Sequence, residues 1–566
     1  MKLVSYNNHT NVIEGILERY GVSREDLINP SSSYKKGYFD MDRATDRIVG
    51  CVKSNEKVGI LVDDDCDGFT SSAVMVSFLN KVGKNVQTFF HDGKQHGLNM
   101  GLIKLMKESG ITLLIIPDAS SSDELLVELP EVDIIILDHH LFESEVPQNV
   151  IRVNNQNPKN TDSNTNLTGV GMVYRTIQVL DEKLNTNYSG SDIDLVAVGQ
   201  IGDSSDYSEQ EVRWIVNEGL KNLNNKLIKT MLAERIGRGD KITGRDLSFE
   251  VIPYINAVTR VGTLGQKEAL FKGLCQSSEY DIIHKVIKRR KNKTTRKFQQ
   301  VEEERTGYEL LYEELQKIKK NQAKLIESFL QTNIEEIYIE GGVVVAKGTQ
   351  GLIKGLTGLI TAKLTSKFGK PVILVSPDEE GVNYTGSIRG KEGLLNSLKD
   401  WCEGTGLFDW VQGHDNAAGC QIKGENLKEL VRKTKDVETI EEIEVDYLSN
   451  TISTRTIREI YNNREFFGGR VEYPKVGIVR KTFDKNNIIA RGETMLILQD
   501  KLENVDYVIF NVSRQVREGL LNNFSRTITV DIYGEPGINH WGGKVVPQVI
   551  VNRIEKDTNN SFDFDF

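Results

Sequence analysis

The chain is short of cysteine: Cys51, Cys66, Cys275, Cys402 and Cys420 are all it has, and no two form a C-x-x-C pair. That excludes a zinc ribbon and a disulfide framework and fits a reducing cytoplasm. No apolar run is long enough to span a membrane. The opening MKLVSYNNHTNVIEG has neither the basic start nor the apolar core of a secretory leader, so none is expected. Excess positive charge is missing too. At a formal net charge of −10, broad affinity for nucleic acid is not expected, and any such contact needs a local basic groove. What remains is the composition of an ordinary globular protein, too long for one core, so roughly three or four domains are expected.

The richest stretch is Val58 to Ser72, VGILVDDDCDGFTSS. An apolar run breaks into Asp63, Asp64, Asp65 and Asp67, closes on Gly68, and leads into an apolar helical pattern. A buried strand that ends in carboxylates, beside a Gly that lets the backbone turn, is how an α/β protein builds a metal site at the carboxyl edge of its sheet. D-x-D-x-D-G also opens a calcium EF-hand loop, but that loop needs Glu at its twelfth position and a helix in front. Here the twelfth position is Val74 and a strand precedes.

From 58 to about 205, apolar β-rich runs alternate with helical patterns near 70–82, 101–109 and 123–129. The strand candidates are GILV (59–62), VQTFF (86–90), TLLIIP (112–117), DIIIL (133–137) and IRV (151–153). This alternation predicts a parallel sheet covered by helices on both faces. TLLIIP ends on Asp118, DIIIL on Asp138-His139-His140, and the apolar segment DLVAVGQIGD on Asp203. Carboxylates converging on one rim repel strongly unless a cation sits among them. Adjacent histidines after a buried strand are notable in a chain with only eight. Oxygen and imidazole donors suit Mn²⁺ or Mg²⁺ better than zinc, and a two-metal site is expected.

Asp63-x-Asp65-x-Asp67-Gly68, Asp118, Asp138-His139-His140 and Asp203 resemble, in this order, the four-motif signature of the DHH phosphoesterase superfamily, and most closely its RecJ-like single-strand-specific exonucleases. LTGVGMV (167–173) resembles that group's LAGVG segment, and PYINAVTR (253–260) its P-x-x-N-A-x-x-R. The resemblance implies metal-dependent hydrolysis of single-stranded DNA from the 5′ end, releasing 5′-mononucleotides, in repair, recombination or phage DNA metabolism. It implies two divalent cations, Mn²⁺ ahead of Mg²⁺, held by Asp63, Asp65, Asp67, Asp118, His139 and Asp203, with Asp118 or Asp203 as the bridge. His140 would contact the scissile phosphate or protonate the leaving oxygen, and Asp138 would orient a neighbouring imidazole. Asn256 and Arg260 would touch substrate phosphate.

Further along, Gly386-Ser387-Ile388-Arg389-Gly390 and Gly413-His414-Asp415-Asn416-Ala417-Ala418-Gly419 resemble the GS-x-R and GGH-x-x-AAG elements of the DHH-associated domain, DHHA1. There Ser387 and Arg389 would hold the 5′-terminal phosphate, with His414 at the cleft. The chain departs from the family pattern at Gln412, at Val258-Thr259, and in HDGKQHGLN (91–99), where relatives carry an Arg and His91 or Lys94 is the candidate substitute.

The expected organisation is α/β and multidomain. It comprises an N-terminal helical segment (1–45), the parallel-sheet DHH domain (46–275), a long bridging helix (276–333), a smaller α/β DHHA1-like domain (334–436), an all-β OB-fold-like barrel (437–557) and an acidic-aromatic tail (558–566). Lys285, Lys288, Arg289, Arg290, Lys291, Lys293, Arg296 and Lys297 on the bridge make either a solvated face or the wall of a DNA groove. The tail NNSFDFDF is frayed, or its alternating acid and Phe mimic the tips of single-strand-binding proteins and dock a partner. Single-stranded DNA is the expected partner, with a single-strand-binding protein or helicase as candidates. No membrane is involved, and the chain is expected to be a cytoplasmic monomer. Two other functions compete: a DHH phosphodiesterase acting on short oligonucleotides or cyclic dinucleotides, and a non-catalytic single-strand-binding scaffold. The 440–556 barrel weighs against the first, and the full set of motif carboxylates against the second.

Overall fold

The structure, a computed structural model, describes residues 2–556 except 7–10, 33–34, 36, 207, 292–297, 352–353, 392–393, 438–441, 470, 511, 513, 522–525 and 542–543. The tail 558–566 therefore lies outside the described residues. The chain divides into two compact units, one of Arg24–Ala323 with Gly468–Arg470, the other of Met1–Ser23, Lys324–Phe467 and Val471–Phe566. Among the described residues no helix is long and apolar enough to cross a membrane.

The first unit is built on five parallel strands, β1 (Val58–Val62), β2 (Val86–Phe90), β3 (Leu113–Pro117), β4 (Asp133–Asp138) and β5 (Val150–Asn154), in the order β2-β1-β3-β4-β5. Runs such as VGILV and LLIIP offer no polar face, so their strands must be covered on both sides. Every residue of β1, β3 and β5 is buried. The pleat sends alternate residues to opposite faces. Ile60, Val62, Ile115 and Ile135 join one apolar cluster with α1 (Cys66–Lys81), α2 (Gly169–Leu184), α3 (Ile193–Gly202), α4 (Ile252–Val261) and α5 (Leu264–Leu274). Leu61, Ile116, Ile134 and Ile136 join another with the helix Met100–Ser109. Truncating one such residue, Ile115→Ala for instance, would cost about 2–5 kcal/mol.

Register then sets the rim. Val62 pairs with Phe90, and Pro117 with Leu137. Asp63, His91 and Asp118 follow directly and Asp138 is the last residue of β4, so all four lie at the sheet's carboxyl edge, where open α/β sheets bind ligands.

The segment that ends at Asp203 is helix α3, not a strand, and is buried from Ile193 to Ile201. An uninterrupted apolar run has no period by which strand and helix can be told apart. Gly199 lets this helix pack closely, since a Cβ there would stand 2.3 Å from Thr70 Oγ1.

The bridging helix expected over 276–333 is corrected more heavily. Two antiparallel strands pair there, β6 (Ile283–Lys291) with β7 (Phe298–Thr306), and the helix α6 spans only Gly307–Thr332. The cause lies in the pairing. Lys285 faces Glu304, Val286 faces Glu303 and Ile287 faces Glu302 across the ladder, and Lys285 Nζ reaches Glu302 at 3.2 Å. Opposite charges on facing strands stabilise the pairing. Of the basic residues expected here, Lys293, Arg296 and Lys297 lie outside the described residues.

The second unit carries two larger sheets. A six-stranded mixed sheet runs in the order Phe408–His414, Ala417–Lys423, Asn383–Arg389, Val372–Pro377, Val344–Gly348, Ile334–Tyr338, with the helix Thr357–Phe368 packed beside it. A seven-stranded mixed sheet is formed within 447–556 around Val476, Ile478, Tyr507, Ile532 and Val549. That region is not all β. Ser453 caps a helix, Thr454–Asn462, whose Ile457 and Ile460 are buried at helical spacing, and a second helix spans Arg514–Leu521. Nor is the N-terminus purely helical. Lys2–Ser5 pairs in parallel with Glu442–Val445, which buries Leu3 against Ile443, Val445 and Tyr533.

Candidate metal centre

At the end of β1, Asp65 caps α1 by accepting from the Gly68 amide at 2.9 Å. Gly68 is needed for close approach rather than for a turn, because a Cβ there would lie 2.6 Å from the Asp63 carbonyl oxygen. Asp67, in the first turn of α1, accepts from the amides of Gly169 and Val170 at 2.6 and 3.0 Å. These open α2, whose N-terminus favours an anion. Asp118 follows β3 with φ of +63°, in the left-handed region, and Gly169 makes room for it. Asp203 caps the C-terminus of α3.

These elements bring the expected side chains together. His139 Nε2 lies 3.2 Å from Asp118 Oδ1, 3.5 Å from Asp203 Oδ2 and 4.0 Å from Asp67 Oδ2. Among the described residues three groups have ligand atoms within 4.8 Å of one another: Asp67, His139 and Asp203; Asp118, Asp138, His139 and His140; and Asp63, Asp65 and His96. His139 belongs to two of them.

The electrostatics ask for a cation. Burial, then the charges of Asp203 and Asp65, push Asp67 up to about 7. Burial and the same kind of repulsion, from Asp67 first, push Asp118 well above the carboxylate range. Asp118 Oδ1 and His139 Nε2 are buried and make no hydrogen bond. Orphaned donor atoms aimed at one another, in an oxygen-rich set with one imidazole, fit a divalent ion of the Mn²⁺ or Mg²⁺ kind. Burial lowers His139 to about 4, which leaves the ring neutral with a lone pair to offer.

The neighbouring histidine has the opposite character. His140 Nδ1 sits 2.8 Å from Asp138 Oδ1, and that bond raises His140 to about 9. Burial lifts Asp138, but the His140 bond and the nearby imidazoles outweigh it and hold the carboxyl at about 2. Asp138 also accepts from the His139 amide at 2.8 Å. Asn256 and Arg260 stand one turn apart on α4, and burial lowers Arg260 while the charge of Asp65 raises it.

In the other unit, Ser387 donates to the Ala418 carbonyl at 3.0 Å and accepts from Arg389 Nη1 at 2.8 Å. A Cβ on Gly358, at the start of the helix Thr357–Phe368, would come 2.4 Å from Arg389 Nη2. Ala417 pairs with Arg389 on one side and with the exposed His414 on the other. Gly413, with φ of +135°, permits the approach to Ala418 that a side chain would block. Ser387, Arg389 and a helix N-terminus thus lie together, with His414 on the far side of one intervening strand.

Residues 57–200 match the model of the DHH family, N-terminal domain. Over 538 residues the chain is 30% identical to YorK, an SPbeta prophage-derived protein of Bacillus subtilis (strain 168) provisionally named a single-strand DNA-specific exonuclease, covering 91% of this chain and 90% of that one. The chain belongs to the DHH family, in its RecJ-like branch. It is 25% identical over 535 residues to the single-stranded-DNA-specific exonuclease RecJ of B. subtilis, covering 90% of this chain and 63% of that one. RecJ from Thermus thermophilus, crystallised in complex with Mn²⁺, matches with a TM-score of 0.68 at 18% identity, over 98% of this chain and 79% of that one. At that identity the likeness establishes the fold.

Within this DHH site the sequence left His96, Asp64 and Lys267 without a role, and offered Lys94 only as a candidate substitute for an Arg. His96 holds Asp63, its Nδ1 2.5 Å from Oδ2. Lys94 donates to the Asp64 carbonyl, and Asp64 is paired with Lys267. The signal for His96 and Lys94 was their place in the segment 91–99; for Lys267 there was none.

Proposed function

We propose that the chain is a metal-dependent exonuclease that hydrolyses phosphodiester bonds of single-stranded DNA from the 5′ end and releases 5′-mononucleotides. The family, the relatives' names and the acidic cluster support this. The observation that carries it is the set of buried carboxylates and one neutral imidazole around orphaned donor atoms. Asp63, Asp65, Asp67, Asp118, His139 and Asp203 would hold two divalent cations, Mn²⁺ or Mg²⁺. Bound there, such ions supply hydroxide at neutral pH and neutralise charge on the phosphoryl oxygens.

The chain's own groups do the rest. His140, kept protonated by Asp138, faces the scissile phosphate and hands a proton to the leaving oxygen. Asp138 fixes the ring plane by its bond to Nδ1, which leaves the Nε2 proton as the one to give. Arg260 and Asn256 contact substrate phosphate. Residues 334–436 act as a DHHA1-like domain in which Ser387 and Arg389 grip the 5′-terminal phosphate and His414 approaches it, while 437–557 serve as an OB-fold-like module for the strand. Five unpaired thiols suit action in the cytoplasm.

The test uses 5′-labelled and 3′-labelled single strands, duplexes and dinucleotides with Mn²⁺ or Mg²⁺. Mononucleotides appearing at once from the 5′ label of single strands are expected. Release from duplex alone, or cleavage of dinucleotides alone, contradicts the proposal.

A further inference from the structure

Lys267, on α5, has a wholly buried side chain. A lysine is almost never buried so completely unless paired. This one meets four acceptors: the two carboxylate oxygens of Asp64 at 2.7 and 2.8 Å, and the carbonyls of His91 and Gly93, each at 2.9 Å. Asp64 is the one member of the acidic run 63–65 that enters none of the three ligand groups found among the described residues. Its carboxylate accepts the Gln95 amide at 3.2 Å, and Lys94 donates to its carbonyl. One ammonium therefore ties the loop that follows β1 to the loop that follows β2. The second loop then reaches back. Gly97 donates its amide to Asp63 Oδ1 at 3.0 Å, and His96 Nδ1 lies 2.5 Å from Asp63 Oδ2.

The base of this tie is firm. Thr263 and Gln266 form a capping box at the start of α5. One turn beyond Lys267, Phe271 packs edge-on against Phe69 of α1 and Phe90 of β2, with ring centroids 6.1 and 5.3 Å apart. An apolar side chain of similar volume would pack as well at lower desolvation cost. An ammonium adds two things: donors directed at both loops at once, and a positive charge that lets Asp64 be buried without joining the repulsion among its neighbours.

We propose that Lys267 is a positioning residue of the metal centre: paired with Asp64, it locks the loops 63–65 and 91–97 together and fixes the spacing at which Asp63, Asp65 and His96 face a cation. The proposal rests on reading the acidic cluster as a metal centre. Its test is Mn²⁺ binding to the full chain by calorimetry, for the wild type, Lys267→Met and Asp64→Asn, with melting curves in EDTA alongside. Lys267→Met strands a buried carboxylate and is expected to weaken Mn²⁺ binding about tenfold or more. Asp64→Asn leaves the ammonium on neutral acceptors and is expected to weaken it about threefold or more. A purely structural role would lower the melting temperature and leave affinity alone, so dissociation constants within about threefold of wild type in every variant that folds overturn the proposal. Should Lys267→Met fail to fold, Asp64→Asn decides by the same criterion. A wild type that binds no Mn²⁺ removes the metal-centre reading itself, an outcome distinct from equal binding by all three.

Discussion

The carboxylates at the rim of the parallel sheet and the Ser387–Arg389 pair are both held by backbone geometry and close-packed glycines, but they differ in what is left over. Asp63, Asp67, Asp118 and Asp138 are at most 2% exposed, and Asp67 and Asp118 are driven up in pKa by burial and by neighbouring carboxylates. Asp118 Oδ1 has no hydrogen-bond partner. Around Ser387 the polar groups answer each other: Arg389 donates to Ser387 and to the Ile388 carbonyl, and Ser387 donates to Ala418. The first cluster carries a like-charge repulsion that a cation would relieve; the second carries none, and under the proposed function its guanidinium would meet an anion. On the proposed function, the same chain builds a site that needs its guest and a site that merely accepts one.

The largest effect that would break this contrast is at Asp118. Asp118→Asn is expected to cut exonuclease activity by several kcal/mol of lost charge stabilisation, on the order of 10³-fold. Because it also removes a buried like charge, the melting temperature in EDTA should rise. A fall would show that the cluster carries no electrostatic strain. Next comes metal addition. Mn²⁺ at about a hundred times its dissociation constant should stabilise the wild type by about 2.7 kcal/mol, roughly 5–10 °C in melting temperature, reversed by chelator. Ser387→Ala should show the same shift.

Arg389→Ala sharpens the comparison from the other side. Loss of a charge-assisted hydrogen bond costs about 1.5–3 kcal/mol, so KM for 5′-phosphorylated single strands should rise roughly 10–100-fold with Mn²⁺ affinity unchanged. The smallest effect concerns His140. Its pKa of about 9 lies above the unfolded value, so the bond to Asp138 contributes stability that is fully present below about pH 6.5 and is lost as pH rises through about 9. The ring is 59% exposed, so solvent screens the contribution. In metal-free protein, Asp138→Asn should flatten that part of the melting-temperature profile; an unchanged profile would detach His140 from Asp138.

Much of the first unit was legible because burial on two faces leaves a plain mark: all five strand candidates recur as β1 to β5 within about two residues at each end. The rim positions of Asp63, Asp118 and Asp138-His139-His140 were legible for a related reason, since Asp or His at the end of such a run can only emerge at the sheet edge. Other features depend on partners distant in sequence. The basic run from Lys285 resembles a helix until its acidic strand, Gln299 to Arg305, is laid against it. The helix ending at Asp203 carries no period. Lys267 sits in LGQKEALFKGL, where a lysine looks solvent-facing, and only the fold sets Asp64 against it.

The most direct test is diffraction at the manganese edge from crystals grown with Mn²⁺. Expected is a pair of anomalous peaks coordinated by Asp65, Asp67, Asp118, His139 and Asp203, both abolished in Asp118→Asn or reduced to one. An empty cluster, or manganese bound only elsewhere on the chain, would contradict the claim that these carboxylates are gathered to hold catalytic cations.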